Sequence, residues 1–207
     1  MIKWDDELFY KTVDYLYSHF SDFNKAIDYK RKSIFPSEAL AFIAMCRLSS
    51  ITSIIESGMA YGGSTEYFGG FGLNVLSVDL AGYGDGVFEN TVSRLRKYKN
   101  ILTVKEDSTA FIPELLSIQP QLTKTAVFID GTKGESAFEF AKALFVFPCV
   151  QFIAIHDLPS KFEQYAFFNT KDPKYRTKVR ELDVKTDLLL KYPDGPGILF
   201  FDKSIKD

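Results

Sequence analysis

The sequence predicts an α/β fold: a seven-stranded, mostly parallel sheet with helices on both faces and an antiparallel hairpin at its carboxyl end. Three observations predict it. From Ile51 onward, short β-branched or aliphatic runs alternate with stretches of helical spacing, the pattern of successive βα units. The runs are apolar on both of their alternating faces, which suits strands covered by helices on each side. Near the carboxyl end, Leu188–Tyr192, the turn-forming Pro193-Asp194-Gly195-Pro196-Gly197 and Ile198–Asp202 read as two strands tightly joined.

Two helices come first. Residues 5–23 carry Leu8, Val13, Leu16 and Phe20 at helical spacing. Pro36-Ser37-Glu38 then opens a helix running through Leu48, because proline pre-sets the first-turn dihedral and an acid favours the positive helix end. Between them, Lys30-Arg31-Lys32 reads as a solvated turn. The parallel strands are expected at Ser53–Glu56, Asn74–Asp79, Ile101–Lys105, Ala126–Asp130 and Gln151–His156. Helices are expected from Ser64 onward, and over Gly86–Tyr98, Thr109–Ser117 and Glu135–Phe145.

With 207 residues, 46% of them hydrophobic, the chain has material for one substantial core and too little for two ordinary domains. One domain is therefore expected, with helices over 1–50 and the α/β core over 51–207. The 25 basic and 27 acidic residues nearly cancel, giving no reason to expect nucleic acid or an anionic membrane as the main partner. No apolar run approaches the ~20 residues that span a bilayer. The acidic start, Met1-Ile2-Lys3-Trp4-Asp5-Asp6-Glu7, does not read as a secretion signal, so a cytoplasmic location is expected. Cys46 and Cys149 lie in apolar segments and are expected as buried free thiols. The 20 Phe and 11 Tyr suit core packing and the surroundings of a pocket, and the aromatic first helix offers a surface for a homodimer.

The most informative stretch is Ile54-Ile55-Glu56-Ser57-Gly58-Met59-Ala60-Tyr61-Gly62-Gly63-Ser64-Thr65. An apolar strand ends in an acid and is followed by glycines and a helix start. Glycine lets backbone approach a ligand closely, and the first turn of a helix offers free N–H groups. A dinucleotide fingerprint needs Gly-x-Gly-x-x-Gly, whereas Met59 and Ala60 follow Gly58, and Glu56 would set a negative charge beside a pyrophosphate. A cationic methionyl ammonium tolerates that charge. Asp79 ends the second strand about twenty residues after Gly58, where a carboxylate takes a ribose hydroxyl pair in nucleoside-binding α/β folds. A glycine turn that binds nothing is the alternative.

This Glu-x-Gly-x-x-x-Gly-Gly-Ser-Thr segment resembles motif I of class I S-adenosylmethionine-dependent methyltransferases, most closely small-molecule O-methyltransferases of the macrocin and cephalosporin-hydroxylase-like groups. The resemblance extends from Pro36 to Asp202. It implies a Rossmann-like, doubly wound sheet with a terminal antiparallel strand, and S-adenosylmethionine as cofactor. It also implies that Glu56, Gly58, Gly62, Gly63, Ser64, Asp79, Asp107, Ser108 and Asp130 surround that cofactor. Asp107 and Ser108 stand where the family contacts adenine; a cap for the helix at Thr109 is their other reading.

Two further segments, Asp130-Gly131-Thr132-Lys133 and Ile155-His156-Asp157-Leu158, follow the fourth and fifth strands, so their acids should leave adjacent strand ends. They resemble the Asp-Gly and His-Asp signatures of the macrocin-type group and also the catechol-type, metal-dependent O-methyltransferases. In the latter, an acid binds magnesium, a lysine three residues on is the base, and an Asp-Asn pair completes the site. Asp130, Lys133 and Asp157 match; Leu158 stands where the Asn would be. Magnesium needs only one or two carboxylates, so Asp130 and Asp157 are the candidate metal ligands. Methyl transfer to oxygen is an in-line displacement that requires a base. His156, with an unperturbed pKa of about 6.5, or Lys133 with a lowered one, would serve.

The resemblance thus implies His156, Lys133, Asp130 and Asp157 as the catalytic set, although His156 also reads as a packed strand-end histidine. His19, the second histidine, reads as a half-exposed helix residue. Residues 160–185 are expected to cover the acceptor, with Phe162, Tyr165, Phe167, Phe168 and Tyr175 as lid aromatics or ordinary packing. The function so implied is methyl transfer to a hydroxyl of a small molecule, sugar or natural-product-like. A catalytically silent scaffold that still binds S-adenosylmethionine is the alternative suggested by Leu158. A nicotinamide-dependent oxidoreductase is disfavoured by the missing middle glycine.

Overall fold

The computed structural model describes residues 5–26, 34–119, 124–173, 175, 197–203 and 205, and, within the first helix, no side chain beyond Ser18. In chain order the elements are α1 (Asp6–Ala26), α2 (Pro36–Leu48), β1 (Ser53–Ser57), α3 (Gly63–Gly70), β2 (Asn74–Asp79), α4 (Val87–Leu95), β3 (Ile101–Lys105) and α5 (Ser108–Ile118). Then come β4 (Thr125–Ile129), α6 (Gly134–Leu144), β5 (Val150–His156), a short 3-10 helix (Ser160–Tyr165), β6 (Phe168–Asn169) and β7 (Ile198–Asp202). The parallel strands and their helices lie within a few residues of the predicted positions.

Among the described residues seven strands form one sheet in the order β3-β2-β1-β4-β5-β7-β6. The first five are mutually parallel, with Glu56 of β1 between Ser77 of β2 and Phe128 of β4. β7 runs antiparallel to both β5 and β6. Ile198–Asp202 is thus the expected antiparallel strand, whereas Leu188–Tyr192 and Lys30-Arg31-Lys32 lie outside the described residues. β6 was not predicted: two residues carry no readable alternation.

Side chains alternate across the strands and feed two apolar layers. Ile54, Ala126, Phe128, Phe152, Ala154, Ile198 and Phe200 face one core with α1, α2 and α3. Ile55, Val127, Ile129, Ile153, Ile155, Leu199 and Phe201 face the other with α5 and α6. Helix α2 is buried all round from Pro36 to Cys46 and is capped by its own Glu38, whose carboxylate accepts from the Phe35 N–H at 3.1 Å. In α1 the buried stripe is Phe9, Val13 and Leu16, while Leu8 is half exposed. Leu8 lies about 100° round the helix from Phe9, so only one of the two can join the stripe, and it is Phe9 rather than the expected Leu8. Cys46 and Cys149 are buried free thiols. Among the described residues no helix is long and apolar enough to cross a membrane.

Candidate active site

β1 and β4 are neighbours, but the chain leaves β1 for α3 on one face and β4 for α6 on the other. A crevice opens at such a divergence, at the carboxyl ends of the strands. The glycine turn and the Asp130 loop meet there. Gly58 has φ +91°, and a β-carbon on it would lie 2.3 Å from the Gly131 nitrogen. Ser57 carbonyl accepts from the N–H groups of both Asp130 and Gly131 at 2.7 Å. Gly62, with φ +71°, caps α3, and Gly63, Ser64 and Thr65 form that helix's buried first turn.

Glu56 lies beneath this turn, fully buried. One carboxylate oxygen accepts from Ser64 Oγ at 2.5 Å; the other accepts from Thr65 Oγ1 at 2.5 Å and Ser77 Oγ at 2.6 Å. Burial pushes its pKa up to about 7; the three hydroxyls act in the opposite direction, and the Asp130 charge adds to the rise. Both oxygens are thus directed into the protein, where they join β1, β2 and α3. Asp79 is similarly occupied: Oδ2 accepts from the Met59 and Ala60 N–H groups at 2.7 and 2.9 Å, and Oδ1 from Ala81 N–H at 2.6 Å. It holds the glycine turn from the β2 side. Asp107 caps α5, accepting from Thr109 N–H at 2.8 Å and Thr109 Oγ1 at 2.7 Å, and Ser108 Oγ pairs with Ser57 Oγ at 2.7 Å.

The four residues expected to be catalytic come together with a fifth, Glu38. His156 is buried between two carboxylates, with Nδ1 2.8 Å from Asp130 Oδ1 and Nε2 3.0 Å from Glu38 Oε2. Burial opposes charge on the ring, yet the Asp130 and Glu38 carboxylates outweigh it and raise the pKa well above 6.5. Lys133 Nζ donates to Asp130 Oδ1 at 2.5 Å and to Asp157 Oδ2 at 2.9 Å. Burial would lower the ammonium's pKa, but the same two carboxylates raise it. Asp130 and Asp157 are in turn held below the usual carboxylate range by His156 and Lys133, against the effect of burial.

With a carboxyl group on each ring nitrogen, His156 has no lone pair to offer as a base while both of those groups are ionised. Glu38 reads from sequence only as the acid of a helix start; nothing local indicates that it reaches a histidine 118 positions away.

A divalent ion would meet a related obstacle here. Asp130, His156 and Asp157 bring potential ligand atoms within 4.8 Å of one another. The Lys133 ammonium, however, already bridges the two carboxylates, and Leu158, where the resemblance expects an oxygen ligand, is buried and apolar. The donor set does not fit a divalent ion with Lys133 in place.

Two tyrosines missed in the sequence stand at the mouth of the crevice. Tyr61 and Tyr83, both about half exposed, lie with ring centroids 6.0 Å apart. Burial raises the Tyr83 pKa, and Asp130 and Asp79 add to the rise. The signal for Tyr83 was the Gly82-Tyr83-Gly84-Asp85-Gly86 run after the Asp79 strand, and Tyr61 lies within the glycine turn itself. The expected lid aromatics pack instead. Phe162 stacks on Phe138 at 4.5 Å, and Phe168 and Tyr175 lie in the core against Phe9. Tyr165 is exposed but also leans on Phe138, and Phe167 leans on Phe200.

No protein-family profile matches the sequence, and no curated protein sequence does so either. Solved structures do match in fold. The apo structure of CalS11, a TDP-rhamnose 3'-O-methyltransferase of calicheamicin biosynthesis, superposes with a TM-score of 0.53 at 14% identity, covering 99% of this chain and 98% of that one. A second CalS11 structure gives 0.52 at 13% identity, over 99% and 95% of the two chains. The S-adenosylhomocysteine-bound methyltransferase PaMTH1 of Podospora anserina gives 0.50 at 10% identity, over 99% of each chain. The chain has the fold of class I S-adenosylmethionine-dependent methyltransferases.

Proposed function

We propose that the protein transfers a methyl group from S-adenosylmethionine to a hydroxyl of a small molecule. The observation that carries this reading is the contact between Gly58 and Gly131. It joins a turn suited to a nucleoside cofactor directly to the loop bearing Asp130 and Lys133. The cofactor, when bound, supplies an electrophilic methyl on a sulfonium. Gly58, Gly62, Gly63 and the first turn of α3 give it backbone to lie against. Asp79 faces the ribose with the one oxygen that accepts a single bond, while Glu56 and Ser64 hold the turn from below. Asp107 and Ser108 border the adenine side.

Lys133 and Asp157 are the two charged groups of the cluster that reach solvent, with 45% and 36% side-chain exposure. They orient the acceptor hydroxyl. Asp130 and Asp157 keep Lys133 protonated in the free protein; once they share their charge with a bound cation, the ammonium is held less firmly. Lys133 then gives up its proton to solvent, and the free amine would take the acceptor hydroxyl's proton as that oxygen accepts the methyl the cofactor supplies. The methyl ether, S-adenosylhomocysteine and a Lys133 ammonium result.

The TDP-rhamnose 3'-O-methyltransferase activity of CalS11 supports a sugar hydroxyl as the first acceptor class to try. Calorimetric titration with S-adenosylmethionine tests the reading, with Asp79→Ala expected to weaken binding about tenfold or more through loss of a charge-assisted bond and of the turn's anchor. Absence of heat and of a thermal shift at saturating ligand would remove it.

A further inference from the structure

We propose that the reacting end of this site carries its own cations, the Lys133 ammonium and the His156 imidazolium, at the position where a divalent ion would otherwise sit. Glu38 is the positioning residue that makes this arrangement possible. The inference rests on the assignment of this cluster to the reacting end of the fold.

The charges alternate along one continuous path. Glu38 of α2 meets His156 of β5 at 3.0 Å, His156 meets Asp130 at 2.8 Å, Asp130 meets Lys133 at 2.5 Å, and Lys133 meets Asp157 at 2.9 Å. Three carboxylates are thus threaded by two cations. Carboxylate oxygens only accept, so with one on each side of the ring both imidazole nitrogens carry hydrogen. Neither can then bind a metal.

Glu38 decides the charge of the ring. In its absence Nε2 would face no acceptor and the ring would be free to take its neutral form, with Nδ1–H still donated to Asp130 and the lone pair on Nε2, the side away from that carboxylate. Glu38 is only 3% exposed, so little but His156 and the Phe35 amide competes for its charge. Lys133 completes the exclusion from the solvent side. Magnesium requires close to octahedral oxygen coordination at about 2.0–2.1 Å. The ammonium stands between the two oxygens such an ion would need, and Leu158 supplies none.

The arrangement bears on the acceptor class. A metal centre gains from two neighbouring oxygens that chelate it. A hydroxyl held by Lys133 and Asp157 needs no such partner, so a vicinal diol is not required of the acceptor.

The test is a titration of the full chain with manganese chloride, followed by the electron paramagnetic resonance signal of free Mn2+. Wild type is expected to leave the signal undiminished up to about 1 mM. Lys133→Met, whose half-exposed side chain makes it compatible with folding, is expected to gain a site at least about tenfold tighter, abolished again by adding Asp130→Asn. Tight Mn2+ binding by wild type, or no gain in a folded Lys133→Met, would overturn the proposal.

A second readout uses the presence of just two histidines. In chain labelled with 15N-histidine, the His156 ring is expected to show two protonated nitrogens at neutral pH and to become neutral in Glu38→Gln. A neutral His156 ring in wild type would overturn the role of Glu38. These measurements are separate from S-adenosylmethionine titration, so a chain that binds no cofactor yet behaves this way keeps its internal cations and loses only the reaction.

Discussion

Gly58 and Gly131 touch through their backbones: a β-carbon on Gly58 would lie 2.3 Å from the Gly131 nitrogen and 2.4 Å from its α-carbon. Neither loop can yield without breaking the hydrogen bonds that Ser57 carbonyl accepts from Asp130 and Gly131. Gly58→Ala is expected to cost about 2 kcal/mol or more, combining a positive φ with a backbone clash. Gly72→Ala is the control. Its φ of +88° is nearly the same, but nothing lies within 4 Å of its β-carbon, so about 1 kcal/mol is expected. Urea denaturation of the pair separates the clash from the dihedral.

Glu56 gives the protein a measurable pH dependence. Its folded pKa, about 7, lies above the ordinary 4.5, so the folded state holds this proton more tightly than the unfolded state does. The associated stability is fully present below pH 4.5 and is lost as pH rises through 7. The stability difference between wild type and Glu56→Gln should therefore shift by about 3 kcal/mol in favour of the glutamine variant over that range. Denaturation curves collected across it check this, and a pH-independent difference would contradict it.

His156 is expected to tolerate no apolar replacement. His156→Leu leaves Glu38 and Asp130 as buried carboxylates without their shared cation, at a cost of about 3–5 kcal/mol. The wild-type contribution has the sign of a raised pKa: complete below pH 6.5 and lost as pH rises through the higher folded value. Thermal melts of wild type should thus decline on the alkaline side more steeply than those of the variant.

Lys133→Arg separates charge from proton transfer. Arginine keeps a cation between Asp130 and Asp157 but does not deprotonate in proteins. Turnover is expected to fall by about 100-fold or more, the usual scale of general-base catalysis. S-adenosylmethionine affinity and Mn2+ exclusion should stay close to wild type. A variant that turns over normally would remove Lys133 as the base.

Much of the fold was legible because its signals are local. Apolar runs with two buried faces, separated by helical spacing, place β1 to β5 to within a residue or two. The glycine turn and the acids at the ends of β2, β4 and β5 are equally visible. What was hidden is the direction in which these acids face. Spacing places Glu56 and Asp79 at strand ends, but it does not show that Ser64, Thr65 and Ser77 claim the first, or that three amides claim the second. The His156 partners were beyond reach for the same reason: Asp130 and Glu38 arrive from separate elements. β6 escaped because two residues contain no period, and Leu8 was favoured over Phe9 because adjacent apolar residues leave the phase of a helical stripe open.

One feature of the topology governs how the molecule is made. β7 comes last among the described strands, yet it pairs on both sides, with β5 and with β6. While the chain emerges from the ribosome, the β5 edge therefore lacks its β7 partner until residues 198–202 arrive, with His156 at its tip. A nascent chain stalled before residue 198 presents an open apolar edge to chaperones or to other nascent copies, and the buried charges around His156 acquire their final walls only after that segment is released.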